Sequence, residues 1–372
     1  MKRMTKNEKI TPFQLFSLIM LFELGTSIMV PLGVDAKQDA WMTILIGMAC
    51  GILMFSIYAY LFNRYPKLLL TGYMSVIFGK VLGFILGIAY VLFFIYGAAR
   101  DLRDGLELLA LFYDVTPIFV LGILMIGAVG YALFMGIETL GRTGEIYFIA
   151  LFLSGITWLL LLLFSPDTVK INQVMPILEN GWMPVFKTVY EQTAMFPFGE
   201  MICFSFVLPF LNNAKTGYKV GLTAILASGI IIALVVFLEI SVLGVSKLQM
   251  STFPLLSMTQ RIRVGDFIQR LDAIAVAGVI VNDFFKVAIF SYAALSGSSD
   301  LFKVSKNKLV IPIVLIALLA SLFIARNVVA HFEQGKFALT NIFPIFAVAI
   351  PFLLMMTDLI RKGLGYDKQR QR

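Results

Sequence analysis

Residues 189–211 read VYEQTAMFPFGEMICFSFVLPFL, and this run decides the fold. It is apolar and long enough to cross a bilayer, which takes about 20 residues of helix. Yet Pro197, Gly199 and Glu200 fall together in its middle. Proline removes a backbone donor and frees the carbonyl one turn earlier. A carboxylate in the hydrocarbon is costly and marks a functional position by default. Two readings stay open. Either the helix unwinds here, and its freed carbonyls with Glu200 suit an ammonium group or a cation, or the proline only kinks it.

A second run has the same character. Residues 11–33, TPFQLFSLIMLFELGTSIMVPLG, open with Thr-Pro at a helix start and place Glu23, Gly25, Thr26 and Ser27 inside the span. Gly25 weakens the helix, and the Thr26 and Ser27 hydroxyls can satisfy freed backbone groups. An interruption here would aim the N–H groups of the following half-helix at an anion. The plainer alternative is a set of small residues against a neighbouring helix, with Glu23 as a structural hydrogen-bonding group. Both runs read Phe-x-x-Gly followed by polar character, Phe22–Gly25 and Phe196–Gly199.

Outward from these two, the apolar runs predict further spans at about 41–62, 80–108, 117–135, 143–164, 219–245, 269–296, 309–326 and 338–359, making about ten. Pro12, Pro117 and Pro312 read as helix starts. Ten spans in two halves of five place the halves in opposite orientation, the inverted repeat of many secondary transporters. The repeats are expected at about 11–164 and 189–359 within one transmembrane domain, 1–372. Trp182–Phe186 and residues 63–79 are expected as short helices in the membrane interface. The chain is 59% hydrophobic and 14% charged, against roughly 25% charged in a soluble domain. Its formal charge of +8 does not point to nucleic acid. The basic residues gather in short loops and at the ends, such as Lys2, Arg3, Lys6, Lys9, Arg64, Lys67, Lys303, Lys306, Lys368, Arg370 and Arg372. They outnumber those expected outside, including Lys170, Lys247, Arg261, Arg263 and Arg270, which predicts both termini in the cytoplasm. No cleavable signal peptide is read at the N-terminus.

Further charges fall within spans. In the third, Tyr96, Arg100 and Asp101 lie deep enough to line a water-filled cavity. Arg100 with Asp104 and Arg103 with Glu107 are spaced i,i+4 and can pair, the second pair reading as a solvated helix end. In the eighth, Asn282, Asp283 and Lys286 share a stretch where Asp283 and Lys286 can neutralise each other, and Lys286 can take the electrostatic place of a coupling cation. Glu239 and Asp272 are weaker cases. Cys50 and Cys203 sit in apolar runs and the single histidine, His331, reads as part of a short polar loop, so no disulfide, metal set, cofactor or catalytic cluster is expected.

The start Lys9–Gln14, the Gly25-Thr26 turn, Asn63-Arg64-Tyr65-Pro66 and above all Phe196–Glu200 resemble the B subunit of bacterial spore nutrient-germinant receptors. These form the spore-permease branch of the amino acid–polyamine–organocation superfamily. The resemblance implies a LeuT-like five-plus-five fold with helices 1 and 6 broken. It implies a pocket between spans 1, 3, 6 and 8, with Gly25, Thr26 and Ser27 at the first break and Phe198, Gly199 and Glu200 at the second. The implied ligand is a small germinant, an amino acid or in some members a sugar. The implied partners are a membrane-spanning A subunit and a lipoprotein C subunit in the spore inner membrane. Superfamily transporters often carry Gly-x-Gly in span 1; Gly25-Thr26-Ser27 leaves less room there. The rival readings are an amino acid transporter coupled to protons through Glu200 or Glu23, and a water or ion pathway.

Overall fold

The computed structural model describes residues 8–165, 168–262 and 271–364. Lys2, Arg3, Lys6, Arg263, Arg270, Lys368, Arg370, Arg372, the first residues of the span expected at 269–296 and the side chain of Asp272 lie outside the described residues. The described residues are helical, with one isolated bridge between Ile10 and Leu211. The helices are α1 (Pro12–Leu24), α2 (Ala40–Arg64), α3 (Leu70–Phe78), α4 (Lys80–Ala110), α5 (Ile118–Leu163), α6 (Trp182–Thr188), α7 (Gly217–Leu243), α8 (Val245–Met250), α9 (Pro254–Thr259), α10 (Leu271–Phe302), α11 (Lys306–Phe323), α12 (Val328–Asn341) and α13 (Ile350–Gly363).

Among the described residues, seven helical segments are long and apolar enough to cross a membrane: Val34–Arg64, Lys80–Ala110, Ile118–Leu163, Ala214–Leu243, Ala273–Phe302, Lys306–Phe323 and Val328–Gly363. The two runs expected to carry interruptions are not among them. Pro12–Ile28 is a shorter apolar helix, and residues 182–210 are helical in pieces.

α1 starts as the sequence predicts. The Thr11 hydroxyl accepts from Gln14 N at 3.2 Å, the Gln14 amide oxygen accepts from Thr11 N at 3.0 Å, and Pro12 takes the first helical position. This reciprocal cap satisfies two donors the helix itself cannot. α1 stops at Leu24; Gly25 turns to φ −21°, ψ −115°, and Thr26–Ile28 form a 3-10 turn.

The spans expected at 117–135 and 143–164 form one helical run, Ile118–Leu163, whose only non-helical residue is Gly136 at φ 84°, ψ 173°. That backbone angle favours glycine, since a Cβ there clashes with its own chain. Pro312 does not start its helix: it lies inside α11, six residues after Lys306. The carbonyl it leaves without a partner is that of Lys308, an exposed residue near the helix end, where water can serve it.

The interior is organised around two long helices, α4 and α10, which pack along each other more extensively than any other pair; α1 lies against α10, α5 and α7. All nine residues of the 3-10 stretch Phe198–Phe206 are buried. Phe198 fits where Gly51 of α2 has no side chain. α12 and α13 are separated by a π-helical turn at Ile345–Ala349. Tyr90 of α4 donates to the Phe346 carbonyl at 2.7 Å, and Tyr58 of α2 donates to the Ala347 carbonyl.

Candidate functional site

The polar centre lies where α1 stops, where the Phe198–Phe206 stretch begins, and where α4 and α10 cross them. Lys286 of α10 is its hub. Its Nζ is fully buried and stands 2.7 Å from Glu200 Oε2, 3.6 Å from Asp101 Oδ1 and 3.3 Å from Thr26 Oγ1. Thr26 donates in turn to Asp101 Oδ1 at 3.3 Å. The rings of Phe196 and Phe22 flank the ammonium at 4.1 and 5.4 Å from their centroids. The sequence pattern separates these groups by up to 260 residues; burial is affordable because each charge meets a partner.

Gly25 serves this arrangement by having no side chain. A Cβ built on it would come 2.8 Å from Lys286 Cδ and 2.9 Å from the Phe22 carbonyl oxygen. The space beside the first interruption is therefore filled by the lysine stem. Ser27 donates to the Glu23 carbonyl oxygen, while both Glu23 carboxyl oxygens are buried without a hydrogen-bond partner. Gly199 lies against Met195 and Ala347, and its N–H bonds to the Met195 carbonyl at 2.9 Å.

On one side of this hub opens a cavity of about 280 Å³, lined by Val30, Pro31 and Asp35 after α1, by Arg100, Asp101 and Asp104 of α4, by Gln192, Phe196 and Glu200, and by Phe332, Glu333, Lys336 and Phe343. Most of the wall is apolar. Two residues of this lining each hold a buried side-chain atom without a hydrogen-bond partner, of opposite charge character: Arg100 Nη1 and Asp101 Oδ2. Of the residues singled out in the sequence, Arg100, Asp101 and Glu200 line the cavity, with Asp104 beside them. Tyr96 contacts it through Arg100, whose guanidinium lies 6.0 Å from the Tyr96 ring. Glu23, Gly25, Thr26, Ser27, Phe198, Gly199, Asn282, Asp283 and Lys286 lie behind the wall.

Several pairings differ from those read in the sequence. Asp283 does not neutralise Lys286; its two oxygens have no hydrogen-bond partner and abut Gly105 of α4. Lysine is long enough to reach past its i,i−3 neighbour to acceptors on three other elements. Asn282 is buried, with Oδ1 unpartnered. Arg103 and Glu107 do pair, at 2.6 Å, but Arg103 is only 6% exposed and donates to the Ser321 carbonyl of α11 at 3.4 Å, so this is no solvated helix end. Asp104 does not take Arg100. It takes His331 Nε2 at 2.8 Å, while Arg100 Nη2 donates to the His331 carbonyl at 3.0 Å.

His331 is not in a loop. It lies in α12, fully buried, on an inward stripe with Gly335 and Ala338. The signal for this helix was present in Asn327, whose side chain caps it by accepting from Ala330 N at 2.9 Å. At Gly335 the place of a Cβ is already taken by the Arg100 guanidinium. Lys336 closes the cavity rim, bonding Asp35 at 2.7 Å and Glu191 at 2.9 Å. Sequence reasoning singled out none of Asp35, Glu191, Gln192, Glu333 and Lys336, because nothing in a single chain marks which loop charges share a rim.

A family model described as spore germination protein, of spore-permease type, matches residues 9–329. Spore germination protein KB of Bacillus subtilis (strain 168) is 39% identical over 350 residues, 93% of this chain and 92% of its own length. Spore germination protein YndE of the same organism is 26% identical over 307 residues, 79% of this chain and 82% of its own. Among solved structures, Mhp1, a nucleobase-cation-symport-1 family transporter in a closed conformation with bromovinylhydantoin bound, superimposes with a TM-score of 0.63 at 15% identity, over 91% of this chain and 78% of that one. At that identity the likeness shows a shared transporter fold. None of these proteins is described as an enzyme.

Proposed function

The chain belongs to the spore-permease family of spore germination proteins, and we propose that it is a receptor subunit that binds a small germinant in the cavity beside Lys286. The reading takes the fold as one transmembrane domain of ten spans in a five-plus-five inverted repeat, about 11–164 and 189–359. Support for ten comes from adding to the seven long segments the two helices in pieces, 12–28 and 182–210, and from dividing Ile118–Leu163 at Gly136. Spans 1 and 6 are the broken ones, at Gly25 and at Phe196–Glu200. Both termini face the cytoplasm, and the membrane is the spore inner membrane.

The observation that carries the ligand reading is the pair of buried, unpartnered polar atoms on two residues lining a mostly apolar cavity, Arg100 Nη1 and Asp101 Oδ2, which a small turn of either side chain would bring to a ligand. An amino acid brings a carboxylate for the first and an ammonium for the second, and such charge-assisted bonds are the strong ones. A sugar would use the same atoms more weakly, as hydroxyls. This differs in emphasis from recognition by bare peptide groups at the breaks, because the lysine stem occupies the space at Gly25. Ligand affinity that differs between two conformations shifts their populations, and the shift passes to the A and C subunits.

A panel of amino acids and sugars, scored by thermal shift on the purified protein and by germination of spores carrying Arg100→Gln, tests the reading. The variant should reach the membrane at normal level and lose the response. An unimpaired response would refute the ligand assignment. The second reading, a proton-coupled amino acid transporter, draws on the fold shared with Mhp1, itself described as a transporter of a cation-symport family, and on the unpartnered Glu23 carboxyl. Uptake of labelled amino acid by vesicles containing only this protein would favour it.

A further inference from the structure

The Lys286 ammonium is ligated as a small cation would be. Three oxygen-bearing side chains converge on it, each from a different element: Glu200 at 2.7 Å from the Phe198–Phe206 stretch, Thr26 at 3.3 Å from the turn after α1, and Asp101 at 3.6 Å from α4. Two aromatic faces complete the surround, with Phe196 4.1 Å away. Ring faces attract a positive charge through their quadrupole. The side chain is wholly buried, and its stem fills the space beside Gly25.

We propose that Lys286 is a resident cation, tethered by its own side chain at the junction of the two interrupted spans, so that the protein neither binds nor requires a free monovalent metal ion there. The charge inventory demands some such occupant. Asp101 and Glu200 both point at this one position, and Glu23 feels the charges of Lys286 and Glu200. Without a cation, carboxylates would face one another in a largely buried site, and an uncompensated buried charge is strongly destabilising. A tethered ammonium meets this need with no loss of translational freedom at each binding event. It also joins α4, α10 and both interruptions at a single point, so any displacement of one interruption changes the ligation of the other. The inference rests on this geometry and not on the germinant reading; a failed ligand screen leaves it standing.

The test is thermal unfolding of the full-length protein in detergent, at constant ionic strength, in sodium, potassium, methylammonium or choline chloride. The wild-type midpoints should coincide, because the site is already filled. Lys286→Ala should unfold lower in choline and recover with methylammonium, sodium or potassium. The recovery should be saturable, a rise of about 5 °C for a cation near 100 times its Kd. Lys286→Met combined with Glu200→Gln, which removes cation and partner together, should fold with a weaker cation response than Lys286→Ala. A wild-type midpoint that rises saturably with sodium or potassium over choline overturns the proposal. So does a folded Lys286→Ala that no small cation stabilises, which would make the lysine a structural ion pair only. If Lys286→Ala yields no folded protein, the wild-type comparison decides alone.

Discussion

Removing one oxygen atom at Tyr58 or Tyr90 should loosen the joint between α12 and α13. The π-helical turn at Ile345–Ala349 displaces the ordinary i→i−4 ladder, and such turns are frequent at functional positions. Its Phe346 and Ala347 carbonyls are met by the two tyrosine hydroxyls, Tyr90 at 2.7 Å. Both rings are buried. Phenylalanine keeps the ring and its contacts and removes only the donor, so the carbonyl is left dry and unpaired. That penalty is about 1–3 kcal/mol per site. Translated into local opening, amide exchange across 345–350 should rise by about 5- to 140-fold in either variant. Hydrogen exchange by mass spectrometry on the detergent-purified protein measures it directly. The midpoint of thermal unfolding should fall by a few degrees, since each kcal/mol is worth about 2–4 °C in chains of 150–250 residues and less in longer ones. Exchange should stay unchanged in α7, which shares neither bond. If Tyr58→Phe and Tyr90→Phe both exchange like the wild type across the turn, the hydroxyls do not hold it and the hinge argument fails.

Gly335→Val should push the Arg100 guanidinium off the His331 carbonyl, because the place of its Cβ is already occupied. With the guanidinium displaced from the cavity wall, a ligand carboxylate would lose a charge-assisted bond worth about 1.5–3 kcal/mol, which should raise the half-maximal germinant concentration about tenfold or more, read in spores with matched protein levels. Glu23→Gln should leave thermal stability unchanged or higher, since neither carboxyl oxygen has a hydrogen-bond partner to lose; a clear fall in midpoint would reveal one. At the C-terminal end of α2, Tyr65 and Tyr60 donate to Asp358, which also meets Arg64 at 3.4 Å. Burial first, and then the bond to the Asp358 carboxylate, push the Tyr65 hydroxyl from 10.0 up to about 12. A folded-state value above the unfolded one holds the proton more tightly in the native protein. Its stabilisation is therefore complete below pH 10 and lost as pH rises towards about 12. The wild type should lose stability faster than Tyr65→Phe across that window, and parallel pH curves would contradict it.

The membrane architecture was legible because hydrocarbon leaves so little choice. A chain that must satisfy every backbone group internally spells its helices as apolar runs, and the start of α1 could be read from Thr11 and Pro12. The end of α1 at Leu24 and the 3-10 geometry from Phe198 fall beside the compositional faults at Gly25 and Phe196–Glu200. Partners were the part that could not be read. Spacing suggested Asp283 for Lys286 and Arg100 for Asp104, but i,i+3 and i,i+4 neighbours gain little on a helix surface. Partners far along the chain took these groups instead: Glu200 for Lys286, and His331 for Asp104 and Arg100, 227 and 231 positions away. Arg103 looked solvated because the cover supplied by α11 is invisible in its own neighbourhood. Asp35 and Lys336 meet across 301 positions, and no local rule connects them.

Under the receptor reading proposed above, the two halves of the mechanism meet on one turn of α4. Arg100 and Asp104 hold α12 through the His331 backbone and ring, and Asp101, between them in sequence, holds Lys286. α12 supplies Phe332, Glu333 and Lys336 to the cavity wall and leads into the π turn; Lys286 lies behind the opposite wall, bonded to Glu200, which lines it. A ligand seated on Arg100 Nη1 and Asp101 Oδ2 therefore acts on both attachments at once. Its carboxylate competes for a guanidinium that steadies α12, and its ammonium shares a carboxylate with the resident lysine. Neither effect needs a large motion, because charges in a water-poor interior interact far more strongly than in solvent. A neutral solute of the same shape would fill the cavity and leave both attachments as they are. Under the receptor reading, occupancy and signalling then come apart for such a solute: it should block the germinant competitively without triggering germination.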